Sequence, residues 1–388
     1  MPIIDNFKPK LRFKGFVDNW KQVRLDAMTV YKNGFGYEDK QVDSGLYELI
    51  NLNSVSIDGG LKPSGKFVNE TKETLKTNDL VMVLSDVGHG DLLGRVAIIP
   101  EDNKYVLNQR VALLRPLETQ NARFLFTRIN ASQAYFKMLG AGSSQLNISK
   151  TTVESFSPFV PHSSAEQQKI GTFFSNLDDI ISSNQQKLDK LICIKKSLLE
   201  KMFPANGTSV PEIRFKGFID NWEQHNLGEY VNITTGKLDA NAMVPDGKYD
   251  FYTSGIQKYK IDIPAFKGPA ITIAGNGATV GYMHFADGEF NAYQRTYVLT
   301  EFKTNREYLY FQIGQKLPKK IASEARTGSI PYIVLDMLTD LKIFKPTETE
   351  CEKLGSFFSK IDNLIDFHKY KLEKLKNLKK ACLDDMFV

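Results

Sequence analysis

From Ile170 the apolar side chains step alternately by four and three: Ile170, Phe174, Leu177, Ile181, then Asn184, Leu188, Leu191, Lys195, Leu198 and Met202. That spacing predicts a helix carrying a coiled-coil seam. A second seam repeats it through Leu354, Phe358, Ile361, Ile365, His368, Leu372, Leu375, Lys379, Cys382 and Met386. Both place polar residues at matching positions, Asn184 with His368 and Lys195 with Lys379, and such residues fix register and partner at some cost in stability. Each helix is expected to run about 40 residues, or about 60 Å at ~1.5 Å per residue, too long to lie within one small domain. Two seams in one chain predict that the helices pair with each other. Two equivalent halves close most simply when that pair is antiparallel about a pseudo-two-fold axis.

The seams are part of a larger duplication. The run "KIGTFFSNLDDII…KLDKL…KKSLLEKMF" from Lys169 returns as "KLGSFFSKIDNLI…KLEKL…KKACLDDMF" from Lys353, an offset of 184 (353 − 169). The phrase "RFKGFVDNW" at Arg12–Trp20 returns as "RFKGFIDNW" at Arg214–Trp222, an offset of 202 (214 − 12), with only Val17 and Ile219 differing. Two phrases repeated in the same order mark a tandem duplication. Trp20 and Trp222, lying in the invariant phrase, are expected to be packed aromatics rather than stacking platforms. "PANGTSVPE" after Phe203 ends the first helix and reads as a linker.

Between the repeated phrases the sequences have diverged. Short apolar runs, "LVMVL", "RVAII", "RVALL", "AITIA" and "TYVLTEF", predict strands of a mixed α/β domain in each half. Three landmarks still recur in order: "GHGDLLG" from Gly88 with "GNGATVG" from Gly275, "QRVALL" at Gln109 with "QRTYVL" at Gln294, and "AGSSQLN" near Gly142 with "RTGSIPY" near Gly328. The expected fold is α+β, with two mixed α/β domains in tandem, each followed by a long helix. The expected divisions are 1–161 for the first domain, 162–203 for its helix, 204–210 for the linker, 211–346 for the second domain and 347–388 for the last helix.

Composition changes this picture little. With 388 residues and 42% hydrophobic content the chain can bury two cores. Met1 to Phe16 has no apolar run, so neither a signal peptide nor a membrane span is expected. Three cysteines without metal-ligand spacing suit a reducing, cytoplasmic setting. The net charge of +5 fits a polyanionic partner without requiring one.

The glycine landmarks are one residue too long for a dinucleotide fingerprint, and "YMHFADGEF" after Gly281 predicts strand and turn instead of a phosphate-binding helix. A tight turn between strands is the simpler expectation. No G-x-x-x-x-G-K-[ST] loop and no H-E-x-x-H pair occurs, and no methyl-donor or nuclease motif stands out. Catalysis is therefore expected to come from elsewhere, with no metal or cofactor in this chain. Two related heads on a helical spacer suit duplex DNA read at two half-sites.

At this point the doubled helices, the doubled "RFKGF.DNW" openings and the diverged domains between them resemble the specificity subunit of type I restriction-modification systems over essentially the whole chain. The resemblance implies two target-recognition domains, each reading one half of a split, asymmetric DNA sequence. It implies paired helices that set the distance between the halves and dock two modification subunits. Those partners would bring S-adenosylmethionine and methylate an adenine flipped into their own pocket. Restriction subunits, where present, would add ATP- and Mg-dependent translocation and cleavage. The expected DNA-binding residues are His89, Asp91, Gln109, Arg110, Ser143, Ser144 and Gln145 in the first half, and Asn276, Thr279, Gln294, Arg295, Arg326, Thr327 and Ser329 in the second. Where the halves agree, as at the two Gln-Arg pairs, scaffold or phosphate contact is expected; where they differ, base recognition. Phe173, Phe174, Phe357 and Phe358 are the expected partner-binding residues. The alternatives are a free-standing bipartite regulator, a self-sufficient methyltransferase and a protein-only scaffold.

Overall fold

The structure, a computed structural model, describes residues 7–205, 207–324 and 331–388. It divides into two compact units, 1–184 with 371–388, and 185–370. The division cuts through each long helix because each unit holds the start of its own helix and the end of the other.

The two long helices span Ser164–Lys201 and Glu348–Met386, within two residues of the bounds that the seams predict. In the first unit Phe174 stacks on Phe387 at 5.8 Å and Lys379 pairs with Asp178 at 2.5 Å. In the second, Phe358 stacks on Phe203 at 5.8 Å and Lys195 pairs with Asp362 at 2.5 Å. Each pair joins the first half of one helix to the last turns of the other or to a residue just past its end, so the helices run antiparallel in both units. The same contacts recur with the helices' roles exchanged. The seam lysines are explained by this pairing, since each reaches across to a carboxylate. Burial raises the Asp178 pKa, and Lys379 opposes that rise.

The repeated phrase is a clasp on the start of the adjoining helix. Arg12 donates Nε and Nη2 to Glu166 at 2.6 and 2.8 Å, and Arg214 donates the same two nitrogens to Glu350 at 2.7 Å each. Phe13 meets Phe173 edge-on while Phe215 meets Phe357 in the same way. Lys169 lies over the Phe16 ring, and Lys353 over that of Phe218. Trp20 and Trp222 are buried among aromatic neighbours, as their place in the phrase predicts. Eight of the nine residues are kept alike, and the arginine and the two phenylalanines of the phrase each have the same kind of partner on the adjoining helix in both copies, while the one position that differs, Val17 and Ile219, is exposed.

Each unit then builds the same sheets from different sequences. In the first, a four-stranded antiparallel sheet runs in the order Thr29–Asn33, Val111–Pro116, Leu80–Val83, Val96–Ile98. In the second, the order is Asn232–Thr235, Thr296–Thr300, Ala270–Ala274, Met283–Ala286. A second sheet, of three strands in the first unit and four in the second, adds one parallel pair in each, Tyr47–Ile50 beside Tyr105–Leu107 and Tyr249–Tyr252 beside Glu289–Ala292. The central strand Leu80–Val83 is apolar throughout because both of its faces are covered. Leu80 and Met82 enter the core shared with Trp20 and Phe124, while Val81 and Val83 enter a second core with Ile50 and Val111. Alternate side chains thus serve two cores, and the run shows no period-2 pattern. Among the described residues no helix is long and apolar enough to cross a membrane.

Candidate nucleic-acid interface

The landmarks that recur along the sequence meet in space in each unit, the third of them in the second unit through its described residues Pro331 and Tyr332. In the second, the loop after Ala270–Ala274 begins at Gly275, whose N–H donates to the Arg295 carbonyl at 2.8 Å. Its own carbonyl accepts from Ile333 N–H at 2.7 Å, and Asn276 forms a bridge with Tyr332. A Cβ on Gly275 would stand 2.3 Å from the Arg295 oxygen, so the close approach itself demands glycine. In the first unit, Leu84 N–H donates to the Arg110 carbonyl at 3.0 Å. Ser85–Asp86 pairs with Leu146–Asn147, bringing the Gly88 loop beside the Ser143–Gln145 loop. The glycine landmark is therefore a turn between strands, as expected. Gly90 and Gly277 take φ of +79° and +87°, and Gly94 and Gly281 take +75° and +83°, which explains why these glycines survive divergence.

The Gln-Arg pairs occupy equivalent places with equivalent neighbours. Gln109 donates its amide to Glu38, and Gln294 donates to Asp239 at 3.5 Å. Neither carboxylate is signalled by spacing, since they lie 71 and 55 residues away in sequence. Arg110 and Arg295 are exposed, and among the described residues neither forms an ion pair. Two free guanidiniums at the same spot of the two units suit phosphate contact.

The residues that differ between the halves divide by how much of their bonding capacity is taken. His89, Ser143 and Ser144 are exposed at loop tips, and Gln145 is half-buried. Asp91 is paired with Lys137 at 2.7 Å, which lowers its pKa. Asn276 accepts from Ser254 Oγ at 2.6 Å, and Thr279 donates its hydroxyl to the Ser254 carbonyl. Arg326, Thr327 and Ser329 lie outside the described residues. For two of the expected partner-binding phenylalanines the structure gives a correction: Phe174 and Phe358 are fully buried within their own units, packed against Phe387 and against Phe203 with Phe311, and present no surface to a partner. Phe173 and Phe357 are half-buried beneath the clasp.

Sequence reasoning passes over His284 as an isolated histidine. Its ring lies 5.3 Å from Tyr252 and 4.9 Å from Tyr282, and its Nε2 is 3.4 Å from the Gly255 carbonyl. Burial lowers its pKa below the ordinary value of about 6.5, with the Gly255 carbonyl opposing. The unfolded chain therefore takes up this proton at a higher pH than the folded unit does. Stability conferred on the second unit is present above the ordinary histidine range and lost on acidification through it. Denaturation midpoints should thus fall between pH 7 and pH 5 less steeply in His284→Gln than in the parent; equal slopes would show that His284 contributes nothing to the acid response.

A family model described as the type I restriction modification DNA specificity domain matches residues 17–192 and 219–377. The chain is 35% identical over 164 residues to the EcoDI specificity subunit of Escherichia coli, an alignment covering 41% of this chain and 35% of that protein. It is 22% identical over 410 aligned residues to the MjaVIII specificity subunit of Methanocaldococcus jannaschii, covering 95% and 92%. The crystal structure of a type I restriction-modification S subunit from M. genitalium shares the fold at a TM-score of 0.72 and 17% identity, covering 98% and 99%. One family description thus fits both copies of the duplication and most of the chain between its ends, and the protein belongs to the type I restriction-modification DNA specificity family.

Proposed function

We propose that this chain is the non-catalytic DNA-reading subunit of a type I restriction-modification complex, with each unit reading one part of an asymmetric, bipartite duplex target. The observation that carries this reading is a hydrogen-bonding pattern shared by both units, in which the residue after the central strand joins the Gln-Arg segment and the chain that follows the third landmark, with different side chains mounted around it. A shared frame suits both units to the same kind of ligand, and the differing side chains give each its own sequence. Methyl transfer belongs to two modification subunits that bind S-adenosylmethionine; restriction subunits, where they join, use ATP and Mg. The complex acts in the cytoplasm.

The long helices support docking of two copies of one partner. Ile180 and Leu364 are equivalent under the offset of 184 (364 − 180), as are Ile194 and Leu378, and all four are 40–51% exposed. Each precedes a seam position, so it flanks the helix pair without entering it. Ile180 and Leu378 lie beside the Asp178–Lys379 ion pair in the first unit, and Ile194 and Leu364 beside Lys195–Asp362 in the second. The duplicated apolar patch suits a duplicated partner.

The test combines the purified chain, S-adenosylmethionine and plasmid DNA, with and without the modification subunit. Sequence-specific adenine methylation is expected only with both proteins. Methylation by the chain alone would overturn the assignment.

A further inference from the structure

The loop after Tyr249–Tyr252 is anchored at its base far more firmly than a solvent loop requires. Ser254 is held twice, by its hydroxyl to Asn276 Oδ1 at 2.6 Å and by its carbonyl to the Thr279 hydroxyl. Gly255 is held from both sides, its N–H donating to Thr253 Oγ1 and its carbonyl facing His284 Nε2, each at 3.4 Å. His284 in turn is fixed between Tyr252 and Tyr282. Beyond this base Ile256, Gln257 and Lys258 are all exposed, Ile256 to 59%.

None of those three side chains is held by a hydrogen bond or an ion pair among the described residues. Among the described residues the Gln257 amide has no hydrogen-bond partner, and Lys258 has no carboxylate, only the face of Tyr252 at 5.3 Å. The segment Thr253–Lys258 contains no acid, and the free guanidinium of Arg295 lies on the loop that Gly275 joins to this frame. A rigid, basic loop bearing one apolar and one carboxamide side chain has the chemistry of a base-edge reader. An amide pairs with adenine N6 and N7, a branched aliphatic covers a thymine methyl, and an ammonium meets guanine or phosphate. Asn276 and Thr279, by contrast, each have one reading function engaged by the fold, the amide oxygen of Asn276 and the hydroxyl proton of Thr279.

We propose that Ile256, Gln257 and Lys258 form the base-reading segment of the second unit, and that Asn276, Thr279 and His284 are positioning residues that aim it. This rests on the DNA-reading function proposed above. The occupant is the major-groove edge of one part of the duplex target, to which the unpaired cations are complementary.

The experiment uses the full chain assembled with its modification subunit and maps methylated adenines in a plasmid library. Gln257→Ala and Ile256→Ala should each relax base preference about tenfold at positions within one half of the target and leave the other half unchanged. Asn276→Ala should relax that same half, while Asn276→Asp, which keeps an acceptor for Ser254, should restore it. A role confined to stability would lower total methylation without changing either half. Unchanged preferences in both halves, from a complex that methylates normally, would overturn this assignment alone. A parental complex that methylates no defined sequence would overturn it together with the functional reading.

Discussion

Arg214→Ala should destabilise the second unit by about 3–5 kcal/mol, because it strips the partner from a carboxylate that water cannot reach. The Glu350 side chain is 1% exposed and receives both of its charged hydrogen bonds from Arg214. Removing an exposed pair is different in kind. Lys32 and Glu73 are both nearly half exposed, so Lys32→Ala should cost no more than about 1 kcal/mol. The contrast isolates desolvation from charge. Replacing both members, Arg214→Met with Glu350→Leu, should recover much of the loss, since no buried charge remains. Urea denaturation followed by circular dichroism measures all three. An Arg214→Ala chain within 1 kcal/mol of the parent would mean that the clasp does not secure the helix start. The same reasoning applies to Arg12 and Glu166, whose side chains are 12% and 2% exposed.

The second large effect concerns assembly. Ile180→Asp with Leu378→Asp places two charges on the apolar patch of the first unit, and Ile194→Asp with Leu364→Asp does so on the second. Each double variant should fold as the parent does, because all four side chains are substantially exposed. Each should weaken one modification subunit by about 2 kcal/mol or more, the scale of an interface hot spot, which is about 30-fold in affinity. Native mass spectrometry should then show complexes with one modification subunit in place of two, and combining all four changes should leave none. Retention of two subunits by every variant would place the docking surface elsewhere.

The seam residues and the clasp phrase were open to sequence reasoning because their chemistry is local or duplicated. Heptad spacing needs only neighbours along the chain, and a phrase written twice exposes itself. The glycine landmarks were equally open, since a positive φ tolerates few other residues whatever the surrounding sequence. Phe173 and Phe174 show where this ends: adjacent in sequence and alike in type, one lies half-buried under Phe13 and the other is sealed against Phe387. Only the contact partner separates them, and it comes from the far end of the chain.

By itself the sequence determined the duplication, the long paired helices, the strand-rich heads and the resemblance to a DNA-specificity family. The tertiary structure decided which atoms are free. Asn276 and Thr279 carry suitable groups for reading bases, yet a single serine 22 residues from the first of them engages the amide oxygen of one and the hydroxyl proton of the other. Ile256 and Gln257 carry no motif, yet they stand clear of the fold. Periodicity and repetition are properties of residues in order along a chain. Whether a hydrogen-bonding group is spent or available depends on what folding brings beside it, and that is fixed by pairings between strands and loops distant in sequence.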